Sequence, residues 1–136
     1  MHHAAAILGL LALAALAGGM LFFGAVVAPL VFRALEPANA GHFIRALFPH
    51  YYRFTTIAAA IAAIGLSIVA PWCAGALALL ALTSFWLWRI LLPRISRLRD
   101  AGNERAFARA HRLSVLVNQA ELLAAVAILV RVAFLI

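Results

Sequence analysis

The chain has 136 residues, of which 68% are apolar and 11% charged, and its mean hydropathy is +1.09. Soluble domains run at about 45–50% apolar and about 25% charged, so these figures exclude intrinsic disorder and argue against a soluble globular domain. The formal charge is +7, from eleven Arg against Glu36, Asp100, Glu104 and Glu121, with no Lys; because the Arg lie between long apolar runs, lipid phosphate is the expected counter-charge and nucleic acid is not an expected partner.

A membrane span needs about 20 apolar residues, so the length suits one domain, residues 1–136, with four spans and little left over. The first apolar stretch covers residues 4–32. Its opening looks like a secretory leader, with an A-x-A site at Ala15-Leu16-Ala17. However, Met1-His2-His3 carries no Lys or Arg, and the apolar run continues to Phe32, too long for a signal peptide. The segment reads as a retained first span. The pairs Ala14 and Gly18, Ala15 and Gly19, and Gly24 and Ala28 stand four apart, a spacing that lets a second helix approach closely. Pro29 is expected to kink the last turn.

Residues 33–50 form a connector in which Phe43, Ile44, Leu47, Phe48 and Tyr51 recur at helical spacing among His42, Arg45 and His50. A short helix lying in the membrane interface fits that pattern, with Pro49 opening the next helix. The second span is expected over 51–70, with Tyr51 and Tyr52 as interfacial belt residues. Pro71-Trp72-Cys73 should make a tight turn. The third span is expected over 74–92, with helix continuing to about Asp100. Gly102 suits the position after a helix end, Asn103 a cap, and Glu104 the first turn of the last helix. That helix should cross the membrane over 113–135. The lone Cys73 forms no disulfide within the chain. No alternating period of two appears, and lipid admits only helices or closed barrels. The expected fold is therefore an all-α integral membrane bundle of four transmembrane helices.

Arg33, Arg45, Arg53, Arg94, Arg97, Arg99, Arg105, Arg109 and Arg112 fall on the first and third connectors or beside them, whereas the opposite side offers Arg131 alone. By the positive-inside rule the Arg-rich connectors face the cytoplasm and both termini lie outside, which places the chain in a bacterial inner membrane. Arg94, Arg97, Arg99, Arg105, Arg109 and Arg112 are candidate contacts to anionic lipid.

The last helix carries the sharpest polar pattern. His111, Ser114, Asn118 and Glu121 fall within roughly 80° of one another around the axis. Glu121 lies about 12 Å deeper than Leu113 by helix rise. A carboxyl at that depth must be neutral, paired or wetted, and is a candidate functional group by default. The stripe serves either as a proton or solute site or as a hydrogen-bonded clasp to a neighbouring helix. Arg89 is a candidate counter-charge to Glu121, or else reaches the headgroups. Two of His42, His50 and His111 would ligate haem or copper if their helices met; no cofactor is predicted outright. Phosphate-binding, dinucleotide, zinc-protease and paired-cysteine motifs are absent, so catalysis is not expected.

Three blocks in order resemble a known family: Gly18-Gly19-Met20-Leu21-Phe22-Phe23, then Ala28-Pro29-Leu30-Val31-Phe32-Arg33-Ala34-Leu35, then Leu47-Phe48-Pro49-His50-Tyr51-Tyr52. Arg89 with Pro93-Arg94, and Phe107, His111, Ser114 and Asn118, continue the pattern. Over nearly its whole length the chain looks like the transmembrane protein 205-like family (domain of unknown function 4149). It lacks the long insertion that eukaryotic members carry in the third connector. The resemblance implies a four-helix integral membrane protein and no defined biochemistry. In outline the fold is also similar to four-helix families linked to copper uptake and haem synthesis. The leading expectation is a non-enzymatic membrane protein that handles a small solute or metal ion through the stripe from His111 to Glu121. The alternatives are an accessory subunit of a larger membrane complex, or a haem- or copper-binding redox protein. Membrane lipid is an expected partner, as is either a homo-oligomer or a larger complex.

Overall fold

The computed structural model describes residues 1–135, so Ile136, the last residue of the expected domain, lies outside the described residues. The described residues form four long helices and no strand. They are α1 (His2–Ala34), α2 (Pro37–Leu66), α3 (Pro71–Asp100) and α4 (Glu104–Ala133). Three of them, α1, α3 and α4, are long and apolar enough to cross a membrane. The polar first half of α2 keeps that helix below the same measure.

Prolines shape the long helices in two ways. Each of α1 and α3 contains one wide turn, over Phe23–Val27 and Leu87–Leu91, placed identically before Pro29 and Pro93. A proline offers no N–H to the carbonyl four residues back and presses its ring on it. Those carbonyls belong to Ala25 and Arg89, and both lie inside the wide turns, which relieve the clash without ending the helix. Pro49 behaves differently. It lies inside α2, and the helix runs through it without a break. The expected separate interfacial helix is therefore corrected: the apolar positions of the first connector are the first half of one 30-residue helix. The second correction is at Pro71. Helix α2 ends at Leu66, a turn follows over 67–69, and Pro71 opens α3, where its missing N–H costs nothing.

The α3–α4 turn follows the sequence closely. Gly102 has φ +71°, the left-handed conformation that terminates the helix. Asn103 Oδ1 accepts the Ala106 N–H at 3.3 Å, and Glu104 occupies the first turn.

Helix α2 packs broadly on both α1 and α3, and α4 closes against α1 and α3. The core is formed by Leu13, Leu16 and Met20 of α1, Ala59, Ala62 and Leu66 of α2, Leu77 and Leu87 of α3, and Ala125 of α4. The backbones of α1 and α2 come close at Gly9 and Gly65. A Cβ on Gly65 would stand 2.5 Å from the Ala5 carbonyl oxygen and 2.6 Å from Gly9 Cα. The small-residue pairs picked from spacing are used less. Gly18 and Gly24 face open space, and only Gly19 meets a neighbour, the Phe54 ring. Tyr51 and Tyr52 are core residues and not belt residues: they are 6% and 3% exposed, and they stack with Phe23 and Phe48 respectively.

Candidate functional site

The polar stripe of α4 faces inward at its deep end. Glu121 is buried at 5% exposure, opposite the middle of α3. Its Oε1 lies 2.6 Å from Thr83 Oγ1 and 3.0 Å from Ser84 Oγ. Its Oε2 is buried and has no partner among the described residues. Thr83 Oγ1 also lies 2.9 Å from the Leu80 carbonyl of its own helix. A hydroxyl owns one proton and two acceptor sites, so Thr83 has two choices. It donates to an ionised Glu121, or it donates to Leu80 and accepts from a protonated Glu121. Both arrangements keep the heavy atoms in place, so the site can hold or release a proton without repacking.

One turn nearer the Arg-bearing end, Tyr51 Oη donates to Asn118 Oδ1 at 2.8 Å, tying α4 to α2. Ser114 is buried, and its hydroxyl donates to the His111 carbonyl of its own helix at 2.7 Å. The His111 ring stacks on Phe107, 5.8 Å between centroids with the planes 10° apart. The four stripe residues thus share one face, as their spacing requires, yet only Asn118 and Glu121 reach another helix through hydrogen bonds.

Arg89 is not the partner of Glu121. Its guanidinium lies 5.5 Å over the Trp88 ring, and among the described residues the one salt bridge joins Arg45 to Asp100. Arg89 stands at the centre of the wide turn over Leu87–Leu91 and is exposed, while Glu121 looks toward Thr83 and Ser84. Thr83 and Ser84 were missed by sequence reasoning. Two adjacent hydroxyls in the middle of an otherwise apolar span were the available signal.

Above the stripe, the ends of all four helices enclose a cavity of about 190 Å³. Arg45, Tyr52, Ser96, Arg99, His111 and Ser114 supply its polar lining. Of the three candidate haem or metal histidines, only His111 lines this cavity. His42 and His50 are exposed on α2, and His50 Nδ1 lies 3.4 Å from Arg53 Nη2. Among the described residues no three of His, Cys, Asp and Glu gather as a metal-ligand group. Arg94, Arg97, Arg99, Arg105, Arg109 and Arg112 are all exposed at the same end.

The model of the family described as Domain of unknown function (DUF4149) matches residues 11–104. The chain belongs to the DUF4149 family. The DUF4149 match takes in Tyr51, Thr83 and Ser84, the α2 and α3 sides of the polar contacts. His111, Asn118 and Glu121, the α4 side, fall beyond it. Comparison with curated proteins and with solved structures gives no match.

Proposed function

We propose that this DUF4149 protein is a four-span integral membrane protein of the bacterial inner membrane, with both termini outside and its Arg-rich connectors in the cytoplasm. It handles a small solute or metal ion through the α4 stripe and catalyses no reaction. Three helices have the length and apolarity of spans. The 30 residues of α2 rise about 45 Å against a hydrocarbon core of about 30 Å. Its Tyr51, Tyr52 and Thr55 are turned into the protein, so they meet no lipid.

Glu121 carries the solute reading. A carboxyl near the middle of a spanning helix, with one oxygen held by two hydroxyls and the other without a partner among the described residues, is costly unless it is used. It is suited to exchanging a proton in step with the passage of a cation or polar solute. Infrared difference spectra of the protein in lipid, taken across a pH series, test this. A protonated-carboxyl band that comes and goes with pH, shifts promptly in deuterium oxide and vanishes in Glu121→Gln is expected. A Glu121 band that never responds to pH or to deuterium would leave only a clasp.

The second reading, an accessory subunit of a larger complex, is favoured by the Tyr51–Asn118, Thr83–Glu121 and Ser84–Glu121 contacts, which fasten three helices together. It predicts co-purification with defined partners at fixed stoichiometry.

A further inference from the structure

The cavity at the Arg-bearing end has a chemistry that the Glu121 site does not use. Its walls are apolar, from Phe32, Ile44, Phe48 and Ile95, and its polar groups are cationic or neutral. Among the described residues no carboxylate lines it. Asp100, paired with the lining residue Arg45, is already held by it, with contacts of 3.1 and 2.8 Å from the two guanidinium nitrogens. Arg99 has no such partner among the described residues. Its guanidinium lies 4.8 Å over the Phe107 ring, which is stacked in turn on His111. Arg99 is exposed, so its N–H groups are available to donate in pairs to a planar or tetrahedral oxyanion. Tyr52 adds an independent sign. It lines the cavity, and among the described residues its hydroxyl makes no hydrogen bond and is not one of the buried unpartnered atoms, so the O–H stands open to the cavity as a donor.

We propose that this cavity binds the anionic head of an amphiphile, a phosphate or carboxylate group, at the Arg99 guanidinium with the Tyr52 hydroxyl as a second donor. The first methylenes lie against Ile44, Phe48 and Ile95. A volume of about 190 Å³ is about six times the share of one water in the liquid, room for a head group and a short length of chain. The remainder of the chain leaves between the helices into lipid. The proposal shares His111 and Ser114 with the reading of the α4 stripe but makes no use of Glu121. Its test reads binding, so its failure is distinct from failure of the proton site.

The experiment uses the full chain in a neutral detergent. Three probes are titrated separately: dioleoylphosphatidic acid, dioleoylphosphatidylcholine and inorganic phosphate. Bound mass is read by native mass spectrometry and the melting temperature in parallel. One phosphatidic acid per chain is expected, with phosphatidylcholine at least tenfold weaker. Arg99→Gln is expected to weaken binding about tenfold or more, as loss of a charge-assisted contact of at least about 1.4 kcal/mol requires. Ser96→Leu, which fills the cavity and removes no charge, should weaken it likewise, and Arg105→Gln, an exposed cation outside the lining, should not. Tight binding of inorganic phosphate, lost in Arg99→Gln, would support the same head site with a free anion as its source. Equal effects of Arg99→Gln and Arg105→Gln, or no effect of Ser96→Leu, would reduce the attraction to surface charge and overturn the proposal.

Discussion

At the scale of single residues, the α4 stripe was legible and its partners were not. The spacing of Asn118 and Glu121 fixes a common face from one helix alone. Tyr51, Thr83 and Ser84 lie on other helices, so recognising them requires knowing which helices touch and at what height. Arg89 had the right charge and about the right depth, but a long exposed side chain reaches its own neighbour Trp88 more cheaply than a buried carboxyl on another helix. The glycines teach the same lesson. Spacing pointed to Gly18 and Gly24, which touch nothing, while the tight crossing pairs Gly9 with Gly65, more than fifty positions apart. Gly65→Ala should therefore destabilise. Helix propensity favours Ala over Gly by up to about 1 kcal/mol. The new methyl, however, meets backbone of α1 that cannot swing aside, at a cost of about 1–3 kcal/mol. Gly75→Ala, with nothing within 4 Å, keeps the propensity gain and should be neutral or stabilising. In detergent the melting temperature of Gly65→Ala should fall and that of Gly75→Ala should hold or rise; a stabilised Gly65→Ala would refute the close crossing.

Among the elements, three helices could be read from apolar length, and the α3–α4 turn from Gly102, Asn103 and Glu104. Helix α2 could not. Its polar first half reads as interfacial only if it faces water or headgroups, whereas the fold sets Ile44, Tyr51 and Tyr52 against neighbouring helices. Pro49 signals a helix start in isolation, but packing on both sides outweighs one lost backbone bond. Near its first turns α2 is fastened to the end of α3 by the Arg45–Asp100 pair, 2.8 Å apart. Asp100 lies beyond the apolar part of α3, which ends at about Leu92. The Arg45 guanidinium, by hydrogen bond and then by charge, holds this carboxyl below its ordinary value. A lowered folded value means that the pair's stabilisation is present above the unfolded carboxylate value of about 4. It is lost as the pH falls through the folded value. Both groups are exposed, so the effect is small. The melting temperatures of the parent and Asp100→Asn should differ slightly at neutral pH and converge in acid. A gap that persists or widens in acid would exclude the pair as its cause.

For the molecule as a whole, long apolar runs without a period of two pointed to the all-helical class, and the Arg distribution set a polarity that the helix order preserves. The connectors after Ala34 and after Asp100 share one end, with every exposed Arg of the third connector, and Arg131 lies toward the other. A cavity with cationic donors at that end and a buried carboxyl near the middle then lie at successive positions along α4, at His111 and Ser114 and at Glu121. That arrangement has a function only if all four helices cross the bilayer, and α2 is the helix whose crossing composition leaves open. Labelling of single cysteines by a membrane-impermeant maleimide on intact cells decides it, with Cys73→Ala as background and Glu36→Cys, Ile68→Cys and Ala101→Cys introduced one at a time. All three positions are exposed. The account predicts that position 68 is labelled from outside, and that 36 and 101 react only after the membrane is opened. Labelling of 36 and 68 from the same side would show that α2 does not cross, and would contradict the proposed four-span arrangement.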